Sequence, residues 1–167
     1  MLIRPMVGDD ALMPFLIVAM DWRDQGSWTA QSIRNTPDVA HYVDGWMREG
    51  DAGFIAEADG RPLGAAWWRT FASDDKGYGY VATDIPEIGL AVRDDSRGRG
   101  VGTALLDTLI AHARDQGLRG VSLSVEDGND AAIRLYMRYG FERCGRDGNS
   151  DTMVLYLAQS EGPHATA

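Results

Sequence analysis

A strand that empties through a glycine-rich turn into a helix constrains this chain more than any other feature. Ile88-Gly89-Leu90-Ala91-Val92 is a short apolar run. Arg97-Gly98-Arg99-Gly100-Val101-Gly102 follows it, and a helical pattern runs from Thr103 to Gln116. Val101, Leu105 and Leu109 mark the apolar stripe of that helix beside Leu106, Ile110 and Ala113, and Gly117 stops it. The first amides of a helix have no intrahelical acceptor, and the helix dipole adds positive potential there, so such a turn favours an anion, most often a phosphate. Glycines let the backbone approach that anion with no Cβ in the way.

The spacing narrows the kind of phosphate. A P-loop needs a Gly-Lys pair followed by a hydroxyl residue, and this turn has no lysine. A dinucleotide fingerprint needs Gly-x-Gly-x-x-Gly after a first strand. Here Gly98, Gly100 and Gly102 are spaced by two and lie mid-chain.

The rest of the chain reads as alternating elements. Leu2-Ile3-Arg4-Pro5 is a first strand, and Asp9 or Asp10 caps a helix through Met20. A Trp-rich polar segment spans Asp21 to Thr36, and Pro37 opens a second helix with Val39, Tyr42, Val43 and Trp46 on one stripe. Asp59-Gly60 joins Phe54–Ala58 to Leu63–Trp68 as a hairpin. Phe71 to Ile85 is a long loop near the site, and Glu87 to Arg93 is a strand. Val121–Val125 is the next strand, Asn129–Tyr139 a helix ended by Gly140, and Glu142–Arg146 with Met153–Leu157 a closing hairpin around Asp147–Ser150. The fold class expected is α/β, a mixed and mostly antiparallel central sheet flanked by helices. Residues 1–158 are expected to form one domain, with a disordered tail over 159–167 containing Gly162 and Pro163.

Composition excludes several functions. The net charge is −9 with a pI of about 4.7, so no nucleic-acid partner is expected, since phosphate backbones call for basic surfaces. The acidity suits cationic acceptors such as amines, and it equally serves solubility alone. No apolar run is long enough to cross a bilayer, and acidic Asp9 and Asp10 precede the apolar Met13–Met20 stretch, unlike a signal peptide; a cytoplasmic protein without a membrane partner is expected. Cys144 is the only cysteine, so no internal disulfide or thiolate zinc cluster can form, and no metal is expected.

Arg97, Gly100 and Gly102 meet the pattern Arg/Gln-x-x-Gly-x-Gly/Ala. Downstream, Asn129-Asp130-Ala131-Ala132-Ile133-Arg134-Leu135-Tyr136-Met137-Arg138-Tyr139-Gly140-Phe141 fits Asn-x-x-Ala-x-x-x-Tyr-x-x-x-Gly-Phe. Together these motifs resemble the GNAT N-acetyltransferase superfamily, strongly from Glu87 to Phe141; the first half agrees in element order only. The resemblance implies acetyl-CoA as acyl donor, its pyrophosphate on the amides of Arg97, Gly98, Arg99, Gly100, Val101, Gly102 and Thr103. It implies that the strand carrying Leu90, Ala91 and Val92 splays from the next one and pairs with the pantetheine arm. Asn129 would contact the coenzyme, and Tyr136 would sit near its sulfur.

Each implied role has a plainer alternative. Asn129 is a good helix N-cap, Tyr136 could be a core tyrosine, and Arg97 and Arg99 could be solvated surface groups. Tyr136 lies seven residues after Asn129 and so returns to nearly the same helix face.

The implied reaction is acetyl transfer to a primary amine by direct attack in a ternary complex. Glu87 would act as base and Tyr136 as acid. In some relatives a glutamate lies six residues before the valine equivalent to Val92. Here Glu87 lies five before it, and Pro86 holds the sixth position. A one-residue offset along a strand turns a side chain to the other face unless a bulge intervenes, so Asp84 is the reserve base. Trp22, Trp28, Trp67 and Trp68 are candidate aromatic walls for an amine. The histidines His41, His112 and His164 read as packing or surface residues. The acceptor is expected to be a small-molecule amine or a protein amine, and a homodimer is left open. The rival reading is a non-catalytic acyl-CoA-binding sensor.

Overall fold

The structure, a computed structural model, describes residues 1–8, 10–23 and 26–158. Its frame is a seven-stranded mixed sheet in the order β1-β2-β3-β4-β5-β7-β6. The strands are β1 (Leu2–Pro5), β2 (Ala52–Ala58), β3 (Arg61–Arg69), β4 (Glu87–Val92), β5 (Gly120–Glu126), β6 (Glu142–Asp147) and β7 (Ser150–Tyr156). Every neighbouring pair is antiparallel except β4 with β5. The helices are α1 (Met13–Met20), α2 (Ala30–Arg34), α3 (Pro37–Ala40), α4 (Val101–Asp115) and α5 (Asp130–Arg138). The expected fold class is the one observed. The tail from Gln159 and the helix cap expected at Asp9 lie outside the described residues.

Both faces of the sheet are covered, which explains why β3 reads as an unbroken apolar run rather than an alternation. Ala66 and Trp68 pack toward α4, in one core with Leu105, Leu106 and Leu109. Ala65 and Trp67 pack toward α1–α3, with Leu12, Leu16 and Ile33. The β2–β3 hairpin turns on Asp59 (φ 52°) and Gly60 (φ 73°), the paired left-handed conformations that Asp-Gly supplies.

The first half departs from the sequence reading in detail. Asp10 does not cap α1. Its carboxylate accepts from Arg4 (2.8 and 3.0 Å) and from the Val7 amide (2.8 Å), and α1 begins at Met13 with Pro14 in its first turn. The Trp-rich segment holds a short helix, α2, capped reciprocally by Thr29 and Ser32. The helix opened by Pro37 ends at Ala40. The chain then turns through Gly45 (φ 63°) and Met47 (φ 66°), so Tyr42 and Trp46 sit on a coil that still packs inward.

Candidate active site

β4 and β5 pair at one position only, Glu87 with Ser122, where the Ser122 amide donates to the Pro86 carbonyl (3.0 Å). Beyond it the two strands part. On its other edge β4 stays in register with β3 from Glu87 to Val92, and the Arg93 amide donates to the Leu63 carbonyl (2.9 Å). Backbone polar groups alternate between the two edges of a strand. The odd-numbered residues of β4 therefore turn theirs to β3. Leu90 and Val92 turn theirs to the open wedge, whereas Ala91 bonds toward β3 and buries its methyl.

A cavity of about 480 Å³ opens from this wedge along the glycine turn, lined by Leu90, Val92, Arg97, Gly98, Gly100 and Thr103, among others. Gly98 (φ 72°) and Gly100 (φ 78°) hold left-handed backbone, and a Cβ on either would meet no protein atom. A Cβ on Gly102 would sit 3.6–3.8 Å from Val92, Leu135 and Leu90, an ordinary contact. Protein packing thus does not demand glycine at 102; the space beside it is open to a ligand. The amides of Val101, Gly102 and Thr103 lack intrahelical acceptors by their position in the first turn of α4. Arg97 pairs with Asp94 (3.1 Å) and donates to the Val92 carbonyl (3.3 Å), which steadies the turn. Arg99 is exposed.

Across the wedge lies a second cavity, also of about 480 Å³, walled by Trp22, Trp28, Trp67, Tyr42 and Tyr78 with Glu87 in its lining. The two cavities share Ala19, Trp22, Leu90, Asn129, Ala132 and Tyr136. Asn129 stands at the N-cap position of α5, yet its side chain makes no capping hydrogen bond, so capping does not account for it. Tyr136 is 8% exposed, its ring edge-on to Phe141, and burial pushes its phenol up to about 12. It is a neutral proton donor at physiological pH. Tyr139 points elsewhere and ties α5 to α4 through Asp107 (2.6 Å) and the Thr103 carbonyl (3.0 Å).

Glu87 is buried, and burial raises its carboxyl to about 7 against the opposing pull of two hydrogen bonds. Oε1 accepts from the Tyr42 hydroxyl (3.1 Å) and from the Gly79 amide. Tyr42 in turn accepts from the Tyr78 amide (2.6 Å). Oε2 is buried with no hydrogen-bond partner among the described residues. The loop between β3 and β4 reaches this carboxylate because it is glycine there: a Cβ on Gly77 would lie 2.1 Å from Oε2, and one on Gly79 2.5 Å from Oε1.

A profile of the acetyltransferase (GNAT) family matches residues 16–141 of the chain. The chain belongs to the GNAT family. It is 39% identical over 121 residues to a mycothiol acetyltransferase of Geodermatophilus obscurus, an alignment covering 72% of this chain and 36% of that protein. The chain thus spans roughly a third of the length of that relative. It is also 39% identical over 128 residues to the L-methionine sulfoximine/L-methionine sulfone acetyltransferase of Pseudomonas paraeruginosa, covering 72% of this chain and 70% of the relative. Among solved structures, YncA of Salmonella typhimurium, solved with its cofactor acetyl-CoA, superposes with a TM-score of 0.69 at 23% identity, covering 98% of each chain.

Within this GNAT fold the offset of Glu87 needs no bulge, because the β3–β4 register is unbroken. Glu87, Gly89 and Ala91 share the face toward α1–α3. A Cβ on Gly89 would strike the Trp67 ring at 2.3 Å, so glycine there lets that ring lie against β4 on the face that carries Glu87. Asp84, the reserve base, does not line this cavity: it is bound by Arg119 (2.7 and 2.8 Å) at the surface, and that pairing lowers its pKa. Trp68 is also removed from the acceptor walls, since strand alternation sends it to the opposite face, stacked on His112 at 5.3 Å. Tyr42, Gly77, Gly79 and the Asp147–Ser150 turn, which also lines the second cavity, carry no motif. The glycines flanking Tyr78 were the one available signal.

Proposed function

We propose that this chain is an acetyl-CoA-dependent N-acetyltransferase acting on a primary amine by direct attack in a ternary complex. The observation that carries this reading is the meeting of two cavities at Tyr136, one along a phosphate-type glycine turn and the other containing a buried carboxylate. The turn fits a pyrophosphate through the amides of residues 98–103, and the open edge of β4 offers Leu90 and Val92 to an amide-bearing arm. When bound, acetyl-CoA supplies an activated acyl carbonyl and a thiolate leaving group.

A lysine-like amine holds its proton near pH 10.4 and must lose it before attack. Glu87, ionised above about pH 7, takes that proton, with Tyr42 and the Gly79 amide holding the carboxylate in place. The free amine attacks the acyl carbon, and the Leu90 amide at the open edge stabilises the negative charge that develops on the oxygen. As the carbon–sulfur bond breaks, Tyr136 protonates the departing sulfur and is reprotonated from solvent. The attacking nitrogen also loses its second proton and keeps one as the amide N–H, so one proton is released overall. A sensor would have no use for a desolvated carboxylate poised near neutrality, which favours the enzyme.

The test is release of free thiol on mixing the protein, acetyl-CoA and a panel of alkyl amines. Amine-dependent release is expected. Tight acetyl-CoA binding without release on any amine would favour the sensor instead.

A further inference from the structure

The lining of the amine cavity carries a charge pattern that acyl transfer alone does not require. Glu87, Glu126 and Asp147 all line it. The side chains of Glu126 and Asp147 make no hydrogen bond or ion pair among the described residues. Asp38, beside Tyr78 in the adjoining cavity of about 560 Å³, is likewise unpaired. The nearby cations are all engaged. Arg69, the one cation in the lining among the described residues, is 1% exposed; it binds Asp51 (2.7 and 3.1 Å) and donates to the His41 and Asp44 carbonyls. Arg146 pairs with Asp127 and Asp151, and Arg23 donates to the Asp127 carbonyl while lying over Trp22 (4.7 Å). Lys76, the single lysine, lies over Tyr80 (5.4 Å) and faces the adjoining cavity.

Within this lining, among the described residues, a carboxylate in the acceptor would therefore find no unpaired cation and would face like charges; Arg23 and Lys76, which have no carboxylate partner, lie outside it. A second ammonium would find unpaired carboxylates and the aromatic faces of Trp22, Trp28 and Tyr78. Oε2 of the buried Glu87 lies against Gly77 with no hydrogen-bond partner and no counter-ion among the described residues, so the carboxylate adds its negative charge to this lining uncompensated.

We propose that the acceptor is a small di- or polycationic amine without a carboxylate, such as a diamine, its reacting nitrogen at Glu87 and its distal ammonium at Glu126 and Asp147. This rests on the acyl-transfer reading above. It predicts against L-methionine sulfoximine, the named substrate of one relative, which carries a carboxylate.

The experiment compares acceptors of matched length: 1,4-diaminobutane, butylamine, 4-aminobutanoate and L-methionine sulfoximine. Thiol release is followed at low salt, and equilibrium binding of each to the coenzyme A-loaded protein is measured in parallel. The diamine should exceed butylamine in kcat/KM by roughly tenfold, and the two carboxylate-bearing acceptors should trail both. The diamine advantage should shrink at high ionic strength and fall toward one in the Glu126→Gln/Asp147→Asn variant. Comparable or faster turnover of either carboxylate-bearing acceptor overturns this inference and leaves acyl transfer standing. No turnover with any amine overturns the transfer reading; the binding arm then decides the inference, and a diamine that binds no tighter than butylamine overturns it.

Discussion

Replacing Glu87 by glutamine should stabilise the protein in alkaline solution while abolishing transfer. In the fold the carboxyl titrates at about 7, against 4.5 for an ordinary glutamate, because burial penalises its charge. Below pH 4.5 folded and unfolded chains both hold the proton, and the shift contributes nothing. Between 4.5 and 7 the unfolded chain ionises first, so the folded state loses stability as pH rises. Above 7 the full penalty applies. At ~1.36 kcal/mol per tenfold, the gap between 4.5 and 7 amounts to about 3 kcal/mol. Glutamine keeps an acceptor for Tyr42 and Gly79 and carries no charge, so it escapes this penalty. The stability of Glu87→Gln minus that of the wild type should therefore rise by about 3 kcal/mol from pH 4.5 to pH 8, with a difference in Tm that grows by roughly 6–12 °C. Calorimetry or denaturant melts at both pH values read this directly. Because all other groups titrate alike in both proteins, a difference that stays flat with pH would refute the desolvated carboxylate, whatever the variant does to catalysis. A rise in stability with retained full activity would remove Glu87 from the reaction.

Three further outcomes follow from the same geometry. Tyr42→Phe removes a hydrogen bond to the ionised form of Glu87, worth ~1.5–3 kcal/mol to a charged acceptor, so the acid limb of the kcat/KM–pH profile should move up by about one pH unit or more. An unmoved limb would detach Tyr42 from the base. Tyr136→Phe should lower kcat by roughly 10²-fold or more with acetyl-CoA affinity nearly intact, measured by steady-state kinetics and calorimetric titration; unchanged kcat would end its role as acid. Gly102→Val should weaken acetyl-CoA binding at least ~10-fold, with a melt of the same variant separating lost affinity from lost folding, and undiminished affinity would contradict the phosphate assignment of the turn.

The second half of the chain was legible because its functional elements are local. A glycine turn with Gly98 and Gly100 at positive φ, an amphipathic helix and an Asn-to-Tyr spacing of seven are all contained within short windows. The acceptor side was not legible, because it is assembled from distant pieces. Tyr42 comes from the coil after α3, Gly79 from the loop before β4, and Asp147 from the β6–β7 turn. Each alone has an ordinary explanation. Tyr42 fits a helical stripe that the chain abandons after Ala40, where Gly45 and Met47 reverse its path. Trp67 and Trp68 look equivalent in sequence, and only strand parity separates a pocket wall from a core residue stacked on His112.

Parity also explains why Pro86 and Glu87 occupy the positions they do. A side chain six residues before Val92 would share its face and point toward α4, unless an extra residue interrupted the strand. Five residues with no interruption place the carboxylate on the α1–α3 face directly, and the β3–β4 register is uninterrupted. Pro86, buried one step earlier, has no amide to offer β5; its carbonyl takes the Ser122 amide and the pairing of the two strands ends at the next residue. The apex of the wedge and the buried carboxylate are thus consecutive residues. The opening that would admit an acyl-bearing arm begins where the base is held, so moving Glu87 by one residue would lose both the face and the loop glycines that hold its oxygens.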